Sequence, residues 1–263
     1  MKKMINKIIH FSDLHLRLFK EHTRYRIILT EAMNEWKVES PDRIVFTGDL
    51  VHSKNQMTPE LLEIVSWTLT ECAKICKTIV LIGNHDFLEN NLDRMDTISP
   101  IVDNLDDNNI VYYKNRGTYE DDNVLWCVYS LMDENLPPEI PEETQKVKIG
   151  LFHGPIEGST TDIGFKFENG YSLDSFVGLD LVLAGDIHKR QTYDIKDGKK
   201  AYMVGSLVQQ NFGESVRNHG YGIYDIKKDK YIFKDVDGPE PYLTFKINDI
   251  EDIKNETEQL TNF

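Results

Sequence analysis

The chain has 263 residues, 40% of them hydrophobic and 28% charged, and its 30 basic and 44 acidic side chains leave a net charge of −14. That content sustains the core of one large domain, or of one with a small appendage, and excludes a disordered chain. The acidic balance speaks against a surface that binds nucleic acid by charge alone, and no apolar run approaches the roughly 18 residues of a spanning helix, so no membrane partner is expected.

The first residues, Met1 to Lys7, lead straight into a strand with no cleavage-site pattern, so they are not read as a signal peptide. Cys72, Cys76 and Cys127 form no even framework and are read as reduced packing residues of a cytoplasmic protein, or of one inside a phage-infected host.

In chain order, Lys7–Ser12 reads as a strand ending in Asp13-Leu14-His15. Apolar residues at Tyr25, Ile28, Leu29, Ala32, Met33 and Trp36 predict an amphipathic helix over 22–38. Arg43–Thr47 is the next strand and opens into Gly48-Asp49-Leu50-Val51-His52. Thr58-Pro59 starts a helix running to Cys76, with Thr as cap and Pro in the first turn. The strand Thr78–Ile82 stops in Gly83-Asn84-His85-Asp86, where Gly83 is expected to take a backbone conformation closed to other residues. A helix is expected over Asp93–Leu105 and a strand at Ile110–Tyr113.

This alternation predicts parallel strands with crossover helices. Past residue 123 the pattern turns mostly β, with strands at Val124–Leu131, Val147–Phe152 before His153-Gly154, and Leu181–Ala184 before Gly185-Asp186-Ile187-His188. An acidic, Pro-rich loop fills 133–146. Asp197-Gly198 predicts a hairpin between 192–195 and 200–204. Further strands are expected at 220–226, 230–236 and 241–247. The fold class is therefore α/β, two mixed sheets packed face to face with helices outside.

Every polar cluster follows a strand, where side chains from separate loops can meet at one sheet edge. Asp13 and His15 lie two apart, so an extended backbone would point both the same way. Asp49 can give one oxygen to each of two cations, and Asn84 offers an amide oxygen. His85 is placed to donate a proton to a leaving group, with Asp86 holding the imidazole from behind. His153, Asp186 and His188 complete the donors. His10 and His22 are read as structural.

The order D-x-H, G-D, G-N-H-D, H and G-x-x-H over 7–192 resembles the calcineurin-like metallophosphoesterases. The resemblance implies a four-layer αββα sandwich and two divalent ions. One ion would take Asp13, His15, Asp49 and His188; the other Asp49, Asn84, His153 and Asp186. His52, three residues after Asp49, and the segment Gly205–Glu214 followed by His219-Gly220-Tyr221 resemble one branch, the SbcD-type nucleases of double-strand-break repair, including phage recombination nucleases. In that branch the histidine at position 52 contacts the phosphate.

The resemblance therefore implies a two-metal phosphodiesterase acting on DNA, an exonuclease or endonuclease, with Lys189 and Arg190 on a flanking phosphate. It also implies an SbcC-type coiled-coil ATPase partner and a homodimer through 59–76 and 92–105. Asp186 stands where the family usually has His, and the harder oxygen ligand favours Mn²⁺, or Mg²⁺, over softer ions. The domain reading is a nuclease domain over 1–204, with 205–263 closing the core and adding a short, β-rich partial cap. An enzyme of the same fold acting on a small phosphoester fits the acidic charge better and remains the alternative.

Overall fold

The computed structural model describes residues 4–141, 143–239 and 241–244. Its first half is built from β1 (Lys7–Phe11), α1 (His22–Glu39), β2 (Arg43–Phe46), α2 (Pro59–Ile75), β3 (Lys77–Leu81), α3 (Ser99–Leu105) and β4 (Ile110–Tyr113). Then come β5 (Gly117–Asp121), β6 (Val124–Val128), β7 (Val147–His153), β8 (Leu181–Gly185), β9 (Gln191–Asp194), β10 (Lys200–Met203), β11 (Gly220–Asp225) and β12 (Lys230–Asp235). One sheet runs β12-β11-β1-β2-β3-β4 and the other β5-β6-β7-β8-β10-β9. Strands β1 to β4 are parallel, as are β6, β7, β8 and β10; β5 and β9 pair antiparallel at the edges of the second sheet, and β11, between β1 and the edge strand β12, is antiparallel to both.

The period of two along each strand sorts the core into layers. Ile8, Val45, Ile79 and Leu81 face inward and meet Trp126, Ile149, Leu151 and Leu183 of the second sheet. Ile9, Phe11, Ile44 and Phe46 face outward, where α1 and α2 cover them. Phe11 lies between Trp36 of α1 and Phe46 of β2, each at 4.9 Å between ring centroids. Each such side chain stabilises the fold by about 1.5–3 kcal/mol through burial. Behind the second sheet, Leu125, Phe152 and Val182 pack under the connection 155–179, which carries a short 3-10 turn at Leu173–Phe176.

Helix α2 starts as its sequence dictates: Thr58 Oγ1 accepts from the Leu61 amide at 3.2 Å, ahead of Pro59. Its stripe Leu61, Ile64, Val65, Leu69, Cys72 and Ala73 is spent inside the subunit; Leu62 is the apolar side chain left exposed, in a hollow that also contains Met57 and Met95. The hairpin at 195–199 forms with Asp197 and Gly198 both at positive φ.

Three expectations change. The helix expected over 93–105 begins only at Ser99, because Asp96 Oδ1 accepts from the Ile98 and Ser99 amides and holds 93–98 in turns. Strand β5 was not expected: its sequence, Gly-Thr-Tyr-Glu-Asp, lacks an apolar alternation, yet it pairs with β6 along its whole length. Residues 241–244 form no strand, and the remainder of the strand expected over 241–247 lies outside the described residues. Strands β11 and β12 extend the first sheet, so this portion of 205–263 completes the core.

His10 of β1 is fully buried between the sheets. Its Nδ1 meets Tyr231 Oη at 2.8 Å and its Nε2 meets Thr47 Oγ1 at 2.9 Å. Tyr231 reaches it by crossing Gly222 of β11, where a Cβ would stand 1.8 Å from the phenol oxygen. Burial pushes the His10 imidazole down to about 3. The unfolded chain therefore binds this proton first as pH falls, so stability is full above pH ~6.5 and is lost on acidification through pH ~3, by at most about 4–5 kcal/mol. Urea midpoints measured across that window should fall in the parent and fall less in His10→Gln.

Candidate metal centre

The parallel strands deliver their loops to one edge. Asp13 and His15 follow β1, Asp49 follows β2, and Asn84, His85 and Asp86 follow β3. His153 ends β7, and Asp186 and His188 follow β8. Asp13, His15, Asp49 and Asp186 all have left-handed φ, at 54, 45, 61 and 100°. Such conformations cost about 1–3 kcal/mol each and persist where the surroundings over-determine them.

Here the loops brace one another. The Asp13 amide donates to Gly48 O at 3.1 Å, the His15 amide to Asp49 O at 3.0 Å, and the Asp186 amide to the Asp13 carboxylate at 3.1 and 3.2 Å. Asp13 and His15 thus reach the centre from a coiled backbone, and the extended geometry expected for them is replaced. Gly83 is also needed for a reason other than the one expected. Its φ is not positive; a Cβ there would lie 2.1 Å from the Asp49 amide nitrogen, so space demands glycine.

The side chains gather into two sets that share Asp49. His15 Nε2 lies 3.4 Å from Asp49 Oδ2, 3.9 Å from Asp13 Oδ1 and 3.0 Å from His188 Nε2. His153 Nε2 lies 3.4 Å from Asp49 Oδ1, 3.2 Å from Asn84 Oδ1 and 3.8 Å from Asp186 Oδ1. The candidate ligand atoms of Asp13, His15 and His188 fall within 4.8 Å of one another, as do those of Asp13, Asp49 and His153. Outer bonds aim the rings: His153 Nδ1 donates to Thr47 O at 2.6 Å, and His188 Nδ1 meets Glu214 Oε1 at 2.7 Å.

Charge and hydrogen-bonding capacity both fit divalent cations. Burial alone would raise the Asp49 carboxyl, but the charge and hydrogen bond of His153, and then His15, hold it well below the usual carboxylate range. Burial pushes Asp13 up and brings Asp186 to about 6. Burial also drives His15 down to its neutral, lone-pair-bearing form, although Asp49 opposes it. Asn84 can turn its amide either way. With oxygen inward it adds a lone pair to a cluster already made of acceptors; with nitrogen inward it would donate to Asp49 at 3.1 and 3.2 Å. The first orientation suits a cation and the second its replacement by a proton donor.

His85 and His52 stand on the open side. Their rings stack at 5.6 Å, and each meets the ring of His15, at 4.6 and 5.7 Å. Asp86 is not behind His85. It is fully buried, its Oδ2 accepts from the Asp49 and Gly83 amides, and its Oδ1 accepts from those of Leu50 and Val51. The bond behind His85 comes from the main chain, with Nδ1–H donating to His52 O at 2.8 Å.

Lys189 borders the centre, its Nζ 3.3 Å from Thr160 Oγ1. Arg190 does not: its guanidinium is bound to Asp235 and to Lys234 O and lies over Phe233, which commits it to β12. Two residues without an expected role also matter. Glu214 holds His188, and Gln210 Nε2 donates to Asp13 O and Leu14 O at 3.3 and 3.1 Å. Both lie in the segment Gly205–Glu214, whose likeness to the nuclease branch was their signal, although it gave neither residue a role.

Two packed mixed sheets with oxygen and imidazole donors converging at their strand ends are the build of a metal-dependent phosphoesterase. Residues 6–190 match the calcineurin-like phosphoesterases, and the chain belongs to that family. It is 32% identical over 262 aligned positions to the uncharacterized protein R555 of Acanthamoeba polyphaga mimivirus; the match covers 94% of this chain but 19% of that protein. Among solved structures it resembles TT1561 of Thermus thermophilus (TM-score 0.54, 11% identity, covering 87% of this chain and 98% of that one). It also resembles a dimetal phosphatase from Danio rerio (TM-score 0.51, 12% identity, covering 85% and 93%). Among the described residues no helix is long and apolar enough to cross a membrane.

Proposed function

We propose that this chain is a DNA nuclease of the SbcD type, a phosphodiesterase preferring Mn²⁺ and acting in recombination and double-strand-break repair inside the cell. The observation that carries the reading is the exposed His52 imidazole, brought beside His15 and His85 although both donor sets are filled without it. The segment 205–214, which shares the same likeness, supports it by holding His188 and the Asp13 loop.

Asp13, His15, Asp49 and His188 would hold one divalent ion, and Asp49, Asn84, His153 and Asp186 the other. Such ions supply Lewis acidity, lowering the pKa of water and offsetting the charge on phosphate oxygens. The chain's own residues do the rest. The His52 carbonyl fixes a proton on His85 Nδ1, so Nε2 is the atom free to exchange one with the departing sugar oxygen. Burial, and then the Arg17 charge, hold His52 toward the neutral form, which donates one N–H to a phosphate oxygen. Lys189 adds a cation on the Thr160 side of the centre; Arg190, bound to Asp235, adds none.

His85→Ala should keep its Mn²⁺ content and lose about 10²–10⁴ in rate. A variant with normal metal content and the parent rate would remove His85 from the chemistry.

The same proposal includes the boundary after residue 204, docking of an SbcC-type ATPase, and pairing of two copies through exposed Leu62, Leu92 and Met95. A second reading, hydrolysis of a small phosphoester, is favoured by the net charge of −14 and by the name of the Danio rerio fold relative. Incubation in Mn²⁺ with end-labelled duplex DNA, beside bis-p-nitrophenyl phosphate, separates them. Cleavage of the small ester alone overturns the nuclease reading.

A further inference from the structure

One flank of the centre opens into two adjoining hollows, of about 470 and 440 Å³, that share Asp162, His188 and Lys189. The first begins at Asp186 and His188 and is walled by Ile163 and Phe167. The second continues past Lys189 to Arg217. Ile163 stands 76% exposed at the rim of the first hollow, and Phe165, 58% exposed, is set edge-on against its wall residue Phe167 at 4.9 Å between centroids. The Ser215 amide donates to Asp162 Oδ2 at 3.1 Å, which joins the two loops that form the walls and takes one oxygen of that carboxylate.

Three cations line this path, and one of them, Arg190, is bound to Asp235. Lys189 reaches only the neutral Thr160 hydroxyl, and the exposed Arg217 guanidinium has no ion pair among the described residues. Two uncommitted cations and an apolar rim therefore lead away from the very side chains that converge on the candidate metals.

We propose that this trough is a subsite for the single nucleic-acid strand on one side of the scissile phosphate. Lys189 and Arg217 hold its backbone phosphates, and Ile163 and Phe165 stack against a base. The inference rests on the nuclease reading and resolves its main tension. A chain of net charge −14 cannot attract a polyanion by its overall field, but two local cations and an apolar platform can hold one strand, since stacking is indifferent to net charge.

The test is anisotropy of a fluorescein-labelled oligothymidylate in EDTA across a range of NaCl concentrations, followed by kcat/KM for the same strand in Mn²⁺. Arg217→Ala should weaken binding and lower the slope of log affinity against log salt by about 0.7, one phosphate contact on a single strand. Phe165→Ser should weaken binding about tenfold with the slope unchanged, and an abasic strand should erase that difference. In Mn²⁺ both losses should appear in KM. Both side chains are exposed, so the fold is undisturbed, as an unchanged thermal midpoint would show.

A parent that cleaves DNA while both variants match it in affinity, slope and KM overturns the subsite and leaves the nuclease intact. The trough would then serve another occupant, such as a protein segment. A parent that cleaves no DNA in Mn²⁺ overturns the nuclease reading itself, and the subsite with it.

Discussion

Asp49→Ala should yield a folded protein that has lost its response to Mn²⁺ and more than about 10³ of its hydrolytic rate. Asp49 turns a separate oxygen to each donor set, with Oδ2 toward His15 and Oδ1 toward His153, each at 3.4 Å. Loss of an imidazole such as His15 or His153 should instead weaken one ion more than the other. Removing Asp49 relieves its repulsion of the buried Asp13 and Asp86 carboxylates. It also removes the attraction of His153 and His15 that, against burial, holds its own carboxyl low, so the fold should survive with some loss of metal-free stability. The hydrogen bond from the His85 amide to Asp49 Oδ1, at 2.8 Å, is lost as well.

Thermal unfolding with and without Mn²⁺ reads both effects. Binding to the native state raises the parent's midpoint by mass action. The variant should start below the parent's metal-free midpoint and gain little from Mn²⁺. A variant that gained as much as the parent would show that Asp49 bridges nothing.

Much of this architecture was legible because local chemistry and tertiary packing agree. Thr58-Pro59 caps a helix in isolation and does so in place; Asp197-Gly198 turns a hairpin wherever it occurs. The donors were legible because parallel strands send their carboxyl ends to one edge, which makes convergence a matter of topology. What escaped was fixed by partners distant in sequence. Strand β5 is polar and gains its pairing from β6 and its anchor from Arg43, which forks onto Asp121 with two bonds of 2.6 Å. Arg190 follows the candidate ligand His188 by two residues, yet Asp235, far along the chain, takes it. Asp86 sits beside His85 in sequence, and adjacency suggested a catalytic pair. The turn instead points the two side chains to different sides of the loop, one to the main chain of Asp49–Val51 and the other to the open centre.

That difference sets up the second large effect. Asp86→Asn should destabilise the protein by about 3 kcal/mol or more while leaving the chemistry of His85 formally intact. The carboxylate accepts four main-chain N–H groups at 2.9–3.2 Å, two on each oxygen. Asparagine has the same shape but only one acceptor atom. Whichever way its amide turns, two N–H donors face an NH₂ group in a site with no water-exposed surface, and both are left buried and unpaired.

Burial, and then the charge of Asp49, push the Asp86 carboxyl up to about 7, and the hydrogen bonds of the Gly83 and Val51 amides oppose that rise. Activity should fall too, through displacement of Asp49 and of His52 beyond it. Urea unfolding together with hydrogen exchange at the Leu50 and Val51 amides distinguishes this from a role behind His85. A lower midpoint with faster exchange at those two amides supports the main-chain role. A variant with the parent's midpoint and protection but a depressed rate would put Asp86 back behind the imidazole and deny it the four main-chain amides.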